Sequence, residues 1–136
     1  MIRFQKWIVR KDLRDNPDVL YLFGDNAKRV GMGGQAKEMR GESNALGITT
    51  KNTPSMTEDA FFCEEAMFQT LAQLEVISDD LAQAERFLQS GGTVVVPRDG
   101  LGTGLSELPT RAPRAHAFIE EWMAFMSFNF PSKSQF

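Results

Sequence analysis

Short apolar runs alternate along the chain with longer stretches in which apolar residues recur at helical spacing. Residues 2–10 (IRFQKWIVR) mix β-branched and aromatic side chains with charge, the pattern of a half-exposed first strand. Residues 19–23 (VLYLF) and 45–50 (ALGITT) are apolar runs, and residues 93–96 (TVVV) are β-branched throughout and end at Pro97; these read as three further strands. Residues 11–18 are polar and turn-forming. Residues 35–40 read as a short helix closed by Gly41. A longer helix is predicted over 58–77, with Phe62, Ala66, Thr70, Leu74 and Ile77 near helical spacing, and a second piece over 79–88, broken by Ser90-Gly91-Gly92. Phe118, Ile119, Trp122, Met123 and Met126 mark the inner stripe of a last helix.

Strands separated by helices imply an α/β fold: a three-layer α/β/α sandwich around a mainly parallel or mixed sheet of four or five strands. The 136 residues fit one domain, expected to span 1–130, with 131–136 as a C-terminal tail. In such sheets ligands bind at the carboxyl ends of the strands. Two glycine-rich turns fall there, Gly31-Met32-Gly33-Gly34-Gln35 and Gly100-Leu101-Gly102-Thr103-Gly104. Strand, glycine turn, helix is an arrangement that offers unpaired N–H groups to an anion, and glycine lets a ligand approach without a Cβ in the way. Two such turns suggest a phosphate-bearing ligand, a diphosphate gripped from both sides.

Composition narrows the classes. A net charge of −3 and a pI of 5.2 argue against a general nucleic-acid sleeve, though not against a local basic pocket. No apolar run approaches the roughly 20 residues of a membrane span, the start lacks a signal-peptide core, and no membrane partner is expected. One cysteine, Cys63, excludes an intramolecular disulfide and fits a reducing cytoplasm; with one histidine, a Cys/His zinc site is disfavoured, and no metal or cofactor is expected. The first turn departs from the dinucleotide fingerprint and no phosphate-binding G-x-x-x-x-G-K-[ST] run occurs, so a Rossmann dehydrogenase and a P-loop nucleotidase are disfavoured.

Gly24-Asp25-Asn26 ends the second strand, where a carboxylate and an amide can meet ribose hydroxyls or a purine amino group, or form an Asx turn. Asp99, beside the second turn, is the best acid–base candidate because it can orient a water. Lys51 ends the third strand and either pairs with a phosphate or is solvated; Arg40 and Arg98 flank the two turns with the same ambiguity. Gln35 opens the first helix and presents its amide to a ligand or caps. Cys63 reads as a small packed side chain and His116 as helix-end packing, while Phe61, off the inner stripe, is a candidate for stacking on a base.

Residues 31–40 (GMGGQAKEMR) look like the first ligand loop and helix of macrodomains, which bind ADP-ribose, and residues 95–105 (VVPRDGLGTGL) resemble that family's second loop. The likeness covers most of residues 19–126. It implies that Gly33, Gly34, Gly102, Thr103 and Gly104 line a diphosphate, with Gly31 and Gly100 in the same loops. It also implies that Gly24, Asp25 and Asn26 make polar ligand contacts. Lys51 and Asp99 would be counterparts of the lysine and aspartate that some members use to remove ADP-ribose, with Asp25 as a second carboxylate able to position water. The family's asparagine-alanine-alanine-asparagine stretch is absent, Gly24-Asp25-Asn26 standing roughly in its place. The implied partners are ADP-ribose or a related nucleotide, free or on an ADP-ribosylated macromolecule. Two rivals remain: a binding module without chemistry, and an interaction protein using Met126, Phe128 and Phe130 as an oligomer surface.

Overall fold

A computed structural model describes residues 1–132; residues 133–136, most of the expected tail, lie outside the described residues. Four strands form one sheet: β1 (Ile2–Gln5), β2 (Val19–Asn26), β3 (Ala45–Lys51) and β4 (Thr93–Pro97), in the order β1-β4-β2-β3 with every neighbouring pair parallel. Alternation along the strands sorts two cores. Tyr21, Phe23 and Val95 face Leu13 of α1 (Arg10–Asp15) and Ala36 and Met39 of α2 (Ala36–Met39). Leu22, Val94, Val96 and Ile48 face the opposite way. There they meet Ile77, Leu81 and Leu88 of α3 (Met67–Gln89), Leu108 of α4 (Leu108–Arg111) and Ile119 and Met123 of α5 (Pro113–Asn129). Helices thus cover both faces of a parallel sheet, which is why β2 and β4 read as continuous apolar runs.

Four expectations change. The strand expected over 2–10 stops at Gln5, and part of the polar stretch after it is the helix α1. The Asp12 carboxylate accepts from the Val9 N–H at 2.9 Å, satisfying a donor at the helix start, and Leu13 is fully buried. The helix expected over 58–77 does not begin at 58. A single 3₁₀ turn (Glu58–Ala60) is followed by an extended strap that pairs Phe61 with Lys51, and Asn52 N–H donates to the Ala60 carbonyl at 2.7 Å. Phe62 and Ala66 therefore precede α3, whose start is marked by Ala66 N–H donating to Gln69 Oε1 at 2.9 Å. No break follows Ile77: α3 runs 23 residues because buried Ile77, Asp80, Leu81 and Ala84 keep one helical face on the sheet. At the other end, Met126 is buried and Phe130 packs on the core, leaving only Phe128, 85% exposed, of the expected oligomer surface.

Candidate functional site

β2 and β4 are adjacent, yet the segments that follow them leave toward opposite faces, β2 into α2 and β4 toward α4 and α5. A crevice opens at the carboxyl ends of two such strands, and both glycine turns lie in it. It has two adjoining lobes that share Gly24, Gly33, Leu105 and Ser106. One, of 260 Å³, runs between the loops and is walled by Gly34, Gln35, Asp99, Gly100, Gly102, Thr103 and Gly104, with Lys6 at its margin. The other, of 250 Å³, reaches Asp25, Asn26, Gly31, Met32, Arg40, Lys51 and Pro54.

The absence of side chains shapes the floor. A Cβ on Gly24 would lie 3.1 Å from the Gly102 nitrogen, so the second loop meets the end of β2 backbone to backbone. Gly102 holds φ +77° with its Cβ position 3.0 Å from Leu108 and Thr50 side chains, a place only glycine fills without strain. Ser106 and Thr50 hydroxyls lie 2.7 Å apart, and the Thr50 hydroxyl also reaches the Asp25 carbonyl at 3.2 Å, tying the second loop to β2 and β3.

The charged candidates are positioned very differently. Asp25 is buried, and its carboxylate is gripped by Arg40 in a two-pronged pair (2.5 and 3.2 Å), with Arg29 at 3.5 Å on the same oxygen as the longer contact. Arg40 also donates to the carbonyls of Gly31 (2.6 Å) and Val30 (3.3 Å). This arginine braces the first loop against β2. Its charge is spent on Asp25, and the Asp25 carboxylate is correspondingly closed to a ligand amine or a water. Asn26 forms the local turn that its residue type allows, donating to the Val30 carbonyl (2.7 Å) and accepting from Lys28 N–H (3.1 Å).

Lys51 follows a bulge in which Asp25 pairs with Thr49 and Asn26 with Lys51, skipping Thr50. Bulges re-aim side chains, and here the buried ammonium donates to the Ser55 carbonyl (2.7 Å) and lies 4.5 Å from the Phe61 ring centre. It has no carboxylate at ion-pair distance among the described residues; burial pushes its pKa below the ordinary 10.5, aided by Arg111 and opposed by Glu107. Arg111 lies 3.7 Å from the centre of the same ring, and Phe61 is only 4% exposed, so Phe61 offers no surface for a base. Asp99 is the contrast: exposed, on the lobe between the loops, its carboxylate bonded to nothing among the described residues, while its carbonyl accepts from Thr103 Oγ1 at 2.9 Å.

Arg98 lines a separate groove on the far side of the second loop, where His116 and Glu120 pair at 3.3 Å. Cys63 lies in another, acidic groove beside the Phe61 strap. Gln35 lines the cleft, and its Oε1 is buried without a hydrogen-bond partner among the described residues. Sequence reasoning missed Lys6, Leu105 and Ser106. Lys6 was hidden by reading β1 through residue 10, which made it a mid-strand position instead of the first residue beyond the strand.

Fold and site define an α/β protein with a parallel sheet and a cleft built from two glycine loops at the switch point. The chain belongs to a family of unknown function (DUF7831), which matches residues 3–122. No curated protein and no solved structure matches it. No helix among the described residues is long and apolar enough to cross a membrane, and no group of His, Cys, Asp or Glu among them is arranged to hold a metal ion.

Proposed function

We propose that the protein is a macrodomain-like α/β sandwich that binds ADP-ribose or a related nucleoside diphosphate between its two glycine loops. One observation carries the reading: loops separated by some 65 residues of sequence close on one crevice, with Gly24 against Gly102 at its floor. A diphosphate there meets backbone N–H groups and Lys6, with the Gln35 side chain on the wall of the same lobe. Two lobes of 260 and 250 Å³ suit an elongated ligand better than a single phosphate.

Removal of ADP-ribose from a modified macromolecule is the chemistry we assign to this cleft, with Asp99 as general base. Its carboxylate takes a proton from a water that attacks the anomeric carbon, and the bond from that carbon to the macromolecule breaks, the leaving atom taking up a proton. Asp99 is the one of the three acid–base candidates whose side chain is uncommitted, since Asp25 serves Arg40 and Lys51 serves the Ser55 carbonyl. That same commitment favours a second reading, a binding module without turnover. Calorimetry with ADP-ribose, run beside release of ADP-ribose from a modified target, separates them. Binding with turnover that Asp99→Ala abolishes supports the hydrolase; binding without turnover supports the module; no binding rejects both.

A further inference from the structure

Resting on the reading that the cleft takes a nucleoside diphosphate, we propose that Trp7 is the stacking platform for the ligand's heterocyclic base. The bound molecule runs from the glycine loops past Lys6 onto the exposed indole.

The base needs a surface, and the two places first expected to receive it are closed. Asp25 cannot read an exocyclic amine while Arg40 holds both its oxygens, and Phe61 is buried against Lys51 and Arg111. Trp7 is 79% exposed, and it immediately follows Lys6, which lines the lobe between the loops. The Lys6 ammonium lies 5.5 Å from the centre of the Trp7 ring, so one cation borders both the anion cleft and the aromatic face. Lys6 makes no ion pair among the described residues, leaving its charge for a phosphate.

The exposure is a held position. Gln5 Nε2 donates to the Trp7 carbonyl and to the Asp12 carboxylate, both at 2.9 Å; Asp12 in turn accepts from Val9 N–H; and Ile8 is buried in the core beside α1. The turn after β1 is thereby fixed at the same carboxyl edge of the sheet as the two loops. An indole kept in water beside a lysine that lines a cleft is the combination by which proteins hold nucleotides through a π-face and a phosphate together.

The chain has two tryptophans, and Trp122 is packed on the core from α5, so Trp7 can be followed by fluorescence. The test titrates ADP and inorganic diphosphate separately into the full chain, into Trp122→Phe and into Trp7→Ala. ADP is expected to quench emission in the wild type and in Trp122→Phe. Trp7→Ala is expected to weaken ADP about ten-fold, by calorimetry, while leaving diphosphate affinity within about two-fold. If diphosphate binds both proteins alike and Trp7→Ala leaves ADP affinity unchanged, the platform is overturned and the cleft reading stands. If the wild type binds neither ligand, both are overturned.

Discussion

Asp25, Arg40 and Arg29 show how much of the cleft is held up by charges that never reach it. The Asp25 side chain is only 2% exposed and is paired with both guanidinium groups. Arg40→Ala should lower stability by roughly 3 kcal/mol in urea denaturation, because it strands a buried carboxylate and frees the first loop at once. A loss under about 0.5 kcal/mol would place Arg40 among ordinary surface charges. Lys51 yields a pH signature. The unfolded chain keeps that proton to near 10.5, whereas burial makes the folded protein release it earlier. Below 10.5 the unfolded state therefore binds more protons, and stability rises with pH through that interval. Paired denaturation of wild type and Lys51→Met should show the wild type gaining ground as pH climbs toward 10.5; a constant difference would contradict the burial. The glycines divide the same way. Gly102→Ala meets Leu108 and Thr50 at 3.0 Å in a left-handed conformation and should lose about 2 kcal/mol. Gly34, at φ +57° with open space around it, should lose only about 1 kcal/mol on change to alanine, its effect falling on ligand affinity instead.

The edge strand β3 has a protection of its own at the scale of elements. Arg29 donates to the Gly47 carbonyl (2.8 Å) and Asp80 accepts from the Thr49 N–H and hydroxyl (2.7 and 2.6 Å), while the two side chains pair at 2.7 Å. An ion pair thus occupies the edge hydrogen-bonding groups that a further strand would use. Asp80→Ala should cost about 2 kcal/mol through the orphaned Thr49 N–H and raise concentration-dependent association, measured by light scattering; an equally stable, equally monodisperse variant would contradict this role. Asp80 also explains why α3 was unreadable as one helix. Ser78-Asp79-Asp80 looks like punctuation in sequence, but Asp80 is a buried polar anchor on the helix face. The strands β2 and β4 were legible because apolar runs fill their largely buried lengths, and β3 because Ala45 to Ile48 lead into buried Thr49 and Thr50. The helix α1 was not, since one buried leucine among charged residues leaves no periodic stripe and the Asp12 cap lies inside a polar run. The strap after the 3₁₀ turn was lost for the opposite reason: Phe61 and Phe62 carry apolar weight without helical backbone.

For the whole molecule, the readable fact was that both glycine turns follow strands of one sheet; that they share a crevice depended on strand order. Parallel placement of β2 beside β4, with departures to opposite faces, brings the loops together, and nothing in a linear pattern states which strands are neighbours. Side-chain commitments were equally hidden: Arg40, a phosphate ligand by position, is consumed by Asp25, and Trp7 is exposed in the turn that follows β1. The most direct measurement is an amide-resolved NMR titration of the protein with ADP-ribose. The N–H signals of Gly33 and Gly34 and those of Gly102 and Gly104 should shift together, along curves fitted by one dissociation constant. Shifts confined to one loop, or different constants for the two, would contradict a single ligand held between them.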